Sequence, residues 1–169
     1  MADGVVIVGL DPGVRETGVA IWHRATQTLE VHGLSGRKVP ELVKRAIDLP
    51  VLFKAERSLY EPRPVFAIED QRYVQRGKTE AGETNFAASA VRDLQMALAG
   101  AAYACGWPVV FVQPVTAKAG VGARKKGDVI RAVEARFKLR GLTSNQADAV
   151  AIALAGESAY RLLHMTGAA

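Results

Sequence analysis

The stretch that decides the fold runs from Val5 to Trp22 and reads VVIVGLDPGVRETGVAIW. It opens with an apolar, β-branched run through Leu10, which is typical of a strand buried on both faces. Asp11 ends that run, and the Pro-Gly pair after it favours an immediate turn. A second apolar run from Val19 to Trp22 completes a hairpin. The stretch therefore predicts two antiparallel strands, with a carboxylate at the point where the first one ends.

Composition and charge place the chain among ordinary globular proteins. Its 169 residues, of which 49% are hydrophobic, are enough for one well-formed core, so we expect a single domain over residues 1–169. The net charge of +5 favours a polyanionic partner. The single cysteine and the lack of a signal peptide or membrane-spanning run predict a cytoplasmic protein without a membrane partner.

Further strands and helices follow the hairpin in a recognisable order. Three more strands are predicted: Thr28–Leu34, Val65–Ile68 and Pro108–Gln113. Helices are predicted over Glu41–Leu59 with a break at Pro50, over Asn85–Cys105, over Asp128–Leu139, and from a capping box at Thr143–Gln146 to about Met165. The polar segment Arg72–Thr84 is expected to be a surface loop, and the segment Ala117–Gly127 is glycine-rich and basic. This order predicts an α/β protein with a mixed sheet and helices on its faces.

Two acidic residues end apolar strands of this predicted sheet. Asp11 follows VVIVGL, and Glu69 follows VFAI. Asp70 comes next, but side chains alternate along a strand, so only one of these two neighbours can point into a common site. We assign Glu69 to the site and interpret Asp70 as a solvated or supporting acid.

A third acid lies within the last helix. Asp148 stands in QADAVAIALA, on the same side as Ala151 and Ile152, where a charge needs a partner. A divalent cation supplies that partner, and Asn145, one turn earlier, could add a neutral oxygen. Oxygen ligands without histidine or thiolate favour Mg²⁺ or Mn²⁺. Two such ions can hydrolyse a phosphodiester, so the pattern indicates a nuclease.

Three motifs, GLDPGVRETGVA, FAIED and NQADAVAIALA, occur in an order and spacing that resemble the RuvC family of Holliday-junction resolvases, in the RNase H-like superfamily. Chromosomal and bacteriophage members are both compatible with the chain. The resemblance implies a three-layer α/β fold with a five-stranded sheet, three strands antiparallel and two parallel. It also implies a homodimer whose two sites, each with two Mg²⁺ or Mn²⁺ ions, nick opposing strands of a four-way DNA junction.

The same resemblance assigns roles to individual residues. Asp11, Glu69 and Asp148 match the acidic metal ligands of the family, and Lys126 matches a lysine near the scissile phosphate. Asn145 stands where the family usually has Asp or His. This departure predicts that activity survives with an altered metal preference, shifted toward Mn²⁺.

DNA contacts and a dimer contact are also implied. Tyr73 is the nearest match to an aromatic residue that stacks on junction bases. The accompanying cationic residues are Arg72, Arg76, Lys78, Lys118, Arg124, Lys125 and Lys126. The alanine-rich helix Asn85–Cys105 is the candidate dimer interface, through Val91, Leu94 and Leu98. No branch-migration partner can be named.

Other functions remain open at this stage. Another RNase H-like nuclease, acting on RNA or an RNA–DNA hybrid, would share the fold and the acids. A non-catalytic junction-binding module is compatible with Asn145 at the fourth ligand position. An actin-like or sugar-kinase fold shares an Asp-x-Gly hairpin but normally needs two such domains, and 169 residues supply one.

Overall fold

A computed structural model describes residues 5–13, 15–35, 41, 64–70 and 86–165. The strands are β1 (Val6–Asp11), β2 (Glu16–His23), β3 (Thr28–Ser35), β4 (Val65–Glu69) and β5 (Val109–Val112). The helices with described bounds are α1 (Phe86–Ala104), α2 (Pro114–Gly120), α3 (Lys126–Phe137) and α4 (Ser144–Met165). Of the helix predicted over Glu41–Leu59, only Glu41 is described, and it is helical; the rest lies outside the described residues.

The strands form one mixed sheet in the order β3-β2-β1-β4-β5. Strands β1, β2 and β3 pair in antiparallel fashion, whereas β4 runs parallel to both β1 and β5. This arrangement confirms the predicted sheet of three antiparallel and two parallel strands. Because β1, β4 and β5 run in the same direction, their carboxyl ends meet at one edge of the sheet.

Helices cover both faces of the sheet, which gives three layers. Side chains alternate between the faces: on β1, Ile7 packs in the core with α4, whereas Val8 and Leu10 pack in the core with α1. Helices α2 and α3 join the α4 face through Ala117 and Val129. The residues that position the site are those on the α4 face.

Two glycines let α4 lie directly against the backbone of the sheet. A Cβ atom on Gly9 would lie 2.3 Å from the carbonyl oxygen of Ala149, and one on Gly18 would lie 2.0 Å from the carbonyl oxygen of Asn145. Any side chain at either position would push the helix away. Gly18 is the partner of Asp11 in the β1–β2 register, so the first turns of α4 pass over the end of β1.

Two features of the fold differ from expectation. The first is α2, which reaches into the glycine-rich, basic segment that begins at Ala117, where no helix was predicted. Pro114 stands in the first turn of this helix, where its fixed φ suits helix initiation and its missing N–H needs no partner. The glycine and lysine content of this segment gave no indication of the short helix that the structure contains.

The second difference concerns the predicted dimer contact on α1. Leu94 and Leu98 are 0% and 3% exposed because they pack into the core between α1 and the chain's own sheet. They are not available to a partner, so this part of the interface prediction is wrong. Val91 is half-buried, and Met96 and Tyr103 are exposed on the same helix.

Within the described residues, every helix is too short or too polar to cross a membrane.

Candidate active site

Asp11 and Glu69 lie at the carboxyl ends of two neighbouring parallel strands. The register pairs Leu10 of β1 with Ile68 of β4, so the two acids follow the last paired positions side by side. Both belong to the α4 face, because residues two positions earlier, Gly9 and Ala67, lie on that face. Asp11 is 8% exposed, and Glu69 is half-buried.

Asp70 belongs to the other face of the sheet. Its backbone N–H donates to the carbonyl oxygen of Val112 at 2.8 Å, which extends the β4–β5 pairing by one residue. Strand alternation directs its side chain to the α1 face, where Phe66 and Ile68 also lie. Asp70 is only 2% exposed, so the interpretation of Asp70 as a solvated acid is wrong.

Asp148 comes to the same edge on α4. The main-chain oxygen of Asn145 packs against Gly18, which is paired with Asp11 in the β1–β2 register. The main-chain oxygen of Ala149 packs against Gly9, which lies two residues before Asp11. Asp148 is therefore in the helical turn that passes Asp11, and it is half-buried. The backbone contacts of two glycines thus place the turn that carries Asp148 over the end of the strand that carries Asp11.

The start of α4 is fixed by a capping box, as predicted. The backbone N–H of Thr143 donates to Oε1 of Gln146 at 2.9 Å, and the backbone N–H of Gln146 donates to Oγ1 of Thr143 at 3.2 Å. The hydroxyl of Thr143 in turn donates to Oε1 of Glu16 at 2.8 Å. The sequence analysis did not identify Glu16 as a functional residue. The only sequence feature that could have drawn attention to it is its position two residues before Gly18 in β2.

Asn145 is also bound to β2. Its Nδ2 donates to the main-chain oxygen of Glu16 at 2.7 Å. This contact joins the helix to the first residue of β2. The amide oxygen Oδ1 of Asn145 accepts a long hydrogen bond, of 3.5 Å, from the hydroxyl of Ser144.

The acids suit a hard divalent cation by their chemistry. Carboxylate oxygens at one edge of the sheet are the ligands that Mg²⁺ and Mn²⁺ prefer. Across residues 5–13, 15–35, 41, 64–70 and 86–165, however, no three His, Cys, Asp or Glu side chains are grouped closely enough to hold one ion.

The predicted DNA-contacting residues divide into two groups. Arg72, Tyr73, Arg76 and Lys78 lie outside the described residues. In the second group, Lys118 is half-buried on α2, Arg124 and Lys125 are exposed ahead of α3, and Lys126 begins that helix, with no described side-chain environment. The segment leaves the carboxyl end of β5, which is the edge of the sheet that also carries Asp11 and Glu69.

Comparison with known proteins supports the fold. No family model matches the chain, and no curated protein matches its sequence. Among solved structures, Thermus thermophilus RuvC in complex with a Holliday junction substrate is similar, with a TM-score of 0.68 and 21% identity over 93% of this chain and 96% of that one. A second Thermus thermophilus RuvC structure gives 0.62 and 20% identity over 96% of both chains.

The chain has a RuvC-like fold. The yeast mitochondrial Holliday junction resolvase Ydc2 is a more distant neighbour, with a TM-score of 0.50 and 13% identity over 95% of this chain and 83% of that one. The RuvC-like fold spans nearly the whole of each chain, so the acids, the sheet and α4 all fall within it. This confirms the three-layer RNase H-like architecture expected from the sequence motifs.

Proposed function

We propose that this protein is a structure-selective DNA endonuclease that cuts four-way junctions in DNA recombination and repair, with divalent metal ions held by Asp11, Glu69 and Asp148. One observation carries the proposal. Asp11 and Glu69 end neighbouring parallel strands of a RuvC-like fold, and the turn of α4 that carries Asp148 passes over the same end of β1, which supports the proposal. A structural neighbour with the same fold was solved with a Holliday junction substrate.

Each proposed ligand is positioned by a different secondary-structure element. Asp11 ends a central strand that is paired on both sides. Glu69 ends the next strand, and Asp148 is carried by a helix that rests on glycine backbone. When bound, two Mg²⁺ or Mn²⁺ ions would activate a water molecule and stabilise the leaving oxygen of the phosphodiester. Supports of this kind hold the ligands in place during the reaction.

The cationic segment around α2 and α3 supports a nucleic-acid substrate. Arg124 and Lys125 are exposed just before α3 and are suited to contact phosphates, which fixes the position of the DNA without reading its sequence. We assign Lys126 to the scissile phosphate and Tyr73 to stacking on junction bases, together with its cationic neighbours Arg72, Arg76 and Lys78. Lys118 completes this set.

We extend the proposal to a homodimer, because a four-way junction has approximate two-fold symmetry and two symmetric sites would match it. With Leu94 and Leu98 buried in the core of the chain itself, the exposed side of α1 carries Met96 and Tyr103, whereas Val91 is half-buried. The two exposed side chains support the extension.

A cleavage assay tests the proposed function. A labelled immobile four-way junction is incubated with Mg²⁺, Mn²⁺ or chelator, with duplex DNA and an RNA–DNA hybrid as competitors. We expect paired nicks at the junction that require metal. Asp148→Asn should lower the rate about 10³-fold, equivalent to about 4 kcal/mol in the barrier. Asp93→Asn, which changes an exposed acid on α1, is the matched control and should cleave normally.

Two results would contradict the proposal. Cleavage of the hybrid without junction preference would make the protein a different RNase H-like nuclease. Tight junction binding without nicks in either metal would make it a binding module on a nuclease fold.

A further inference from the structure

Asn145 and Glu16, which are 129 positions apart in the chain, meet at the start of α4. The distance from Nδ2 of Asn145 to the main-chain oxygen of Glu16 is 2.7 Å. Because a carbonyl oxygen only accepts hydrogen bonds, the nitrogen side of the amide must face it. An aspartate in this place would have no donor for that carbonyl.

Glu16 is held at two points by the same end of the helix. Its carboxylate accepts a hydrogen bond from the hydroxyl of Thr143 at 2.8 Å, and its main-chain oxygen accepts the one from Asn145. Thr143 also closes the capping box of α4. The first turn of α4 and the first residue of β2 are therefore joined as one unit.

The turn that follows Asp11 folds onto this junction. A Cβ atom on Gly13 would lie 2.3 Å from the main-chain oxygen of Glu16 and 3.2 Å from Nδ2 of Asn145. A side chain at position 13 would collide with the acceptor of the hydrogen bond. The glycine of the turn and the asparagine of the helix thus occupy one tightly packed contact, two residues after Asp11 and three residues before Asp148 along the chain.

We propose that Asn145 is a positioning residue, which fixes the turn that carries Asp148 over the end of β1 by binding the main chain of Glu16. The proposal rests on the proposed metal-dependent function only for the role of Asp148. It accounts for an amide at this position, because an amide supplies the N–H that the Glu16 carbonyl requires. It also explains why Gly13 is needed two residues after Asp11.

Two measurements on the purified full-length protein test this proposal. The first is the midpoint of thermal unfolding in chelator, and the second is the affinity for Mn²⁺ by titration calorimetry. Asn145→Asp should lower the midpoint by about 3–8 °C, since it removes a hydrogen bond and sets a carboxylate against a carbonyl. It should also weaken Mn²⁺ binding about 10-fold, as expected when a residue that orients a ligand is lost.

Gln146→Glu is the matched control. It adds the same negative charge one residue further into the helix and keeps the oxygen that accepts from the Thr143 N–H. We expect its unfolding midpoint to fall by less than that of Asn145→Asp, because the cap acceptor is kept and the helix N-terminus favours an acid, although the new carboxylate lies near that of Glu16. Its Mn²⁺ affinity should be unchanged.

Gly13→Ala is a second variant that removes no group capable of binding a metal. It should lower both the unfolding midpoint and the Mn²⁺ affinity, because the added Cβ displaces the acceptor oxygen of Glu16. Unchanged values for this variant would contradict the tight contact at position 13.

The outcomes separate the positioning role from its alternatives. Tighter Mn²⁺ binding by Asn145→Asp at an unchanged unfolding midpoint would identify position 145 as a ligand site and overturn the proposal. A lower midpoint with unchanged Mn²⁺ affinity would reduce Asn145 to a stabiliser of the helix and would also overturn it. If the wild type bound no Mn²⁺, the metal-dependent function would fail, and a normal unfolding midpoint for Asn145→Asp would still refute the anchoring contact.

Discussion

The two faces of the sheet are held in different ways. On the α4 face the helix touches the strand backbone itself, through Gly9 and Gly18, and hydrogen bonds fix its first turn. On the α1 face the contact is made mainly by apolar side chains such as Leu94. Phe66 and Trp107 stack there with ring centroids 5.3 Å apart.

The two faces therefore serve different purposes. Contacts on the α4 face fix the position of the site residues, whereas packing on the α1 face contributes mainly to the stability of the fold. Close contact with the strand backbone restricts sliding of α4, so Asp148 keeps a defined position relative to β1. Side-chain packing on the α1 face buries more adaptable groups, which contribute free energy but tolerate small shifts. We expect substitutions on the two faces to fail in correspondingly different ways.

The largest effect should come from a charge placed on the buried side of α1. Leu94→Glu puts a carboxylate at a position that is 0% exposed, and should lower the free energy of unfolding by about 4 kcal/mol. Met96→Glu, two residues away on the exposed side of the same helix, should change it by less than about 0.5 kcal/mol. Urea unfolding followed by circular dichroism measures both.

The same pair of variants tests the position of the dimer contact. If Leu94→Glu left the free energy of unfolding unchanged and only dissociated a dimer, Leu94 would face a partner and not the sheet. Dissociation by Met96→Glu at unchanged stability would instead support the exposed side of α1 as the interface.

The α1 face also shows where sequence reasoning reaches its limit. The spacing of Leu94 and Leu98 correctly predicted an apolar stripe on a helix. Hydrophobic periodicity indicates that one face of a helix is buried. It does not show whether that face packs against the chain's own sheet or against a second copy of the chain. The assignment to a dimer contact was therefore wrong although the helix was right.

On the α4 face, local signals were more informative. The capping box at Thr143 and Gln146 was readable because both partners lie within one turn. Strand alternation assigns Glu69 and Asp70 to opposite faces of the sheet, and Asp70 is the more deeply buried of the two. The bond from Asn145 to Glu16 was not readable, because it joins residues from opposite ends of the chain by way of a main-chain atom.

Glycine substitutions on the two faces should change the free energy of unfolding by an intermediate amount, and in opposite directions. Gly18→Ala adds a Cβ 2.0 Å from the carbonyl oxygen of Asn145, and should cost about 3 kcal/mol because helix backbone has to move. Gly100→Ala on α1 meets no atom within 4 Å of its new Cβ among the described residues outside the adjoining turns of its own helix. It should stabilise the protein by about 0.5–1 kcal/mol, through the better helix propensity of alanine.

Differential scanning calorimetry on these two variants gives the comparison directly, since about 1 kcal/mol corresponds to about 2–4 °C in a chain of this size. Equal losses from Gly18→Ala and Gly100→Ala would mean that α4 does not rest on the strand backbone. A normal unfolding midpoint for Gly18→Ala would contradict the close approach at the end of β1.

The smallest of these effects should come from the cap of α4. Thr143→Ala removes the acceptor for the Gln146 N–H and the donor to Glu16, and should lower the free energy of unfolding by about 1–2 kcal/mol. Thr143→Ser keeps both hydrogen-bonding functions and should stay within about 0.5 kcal/mol of the wild type. Hydrogen exchange of the first-turn amides of α4 should quicken in the alanine variant, while protection of the α1 amides falls only by the global loss. Equal changes on the two helices would show that the cap stabilises the whole protein without specifically fixing the turn that carries Asn145 and leads to Asp148.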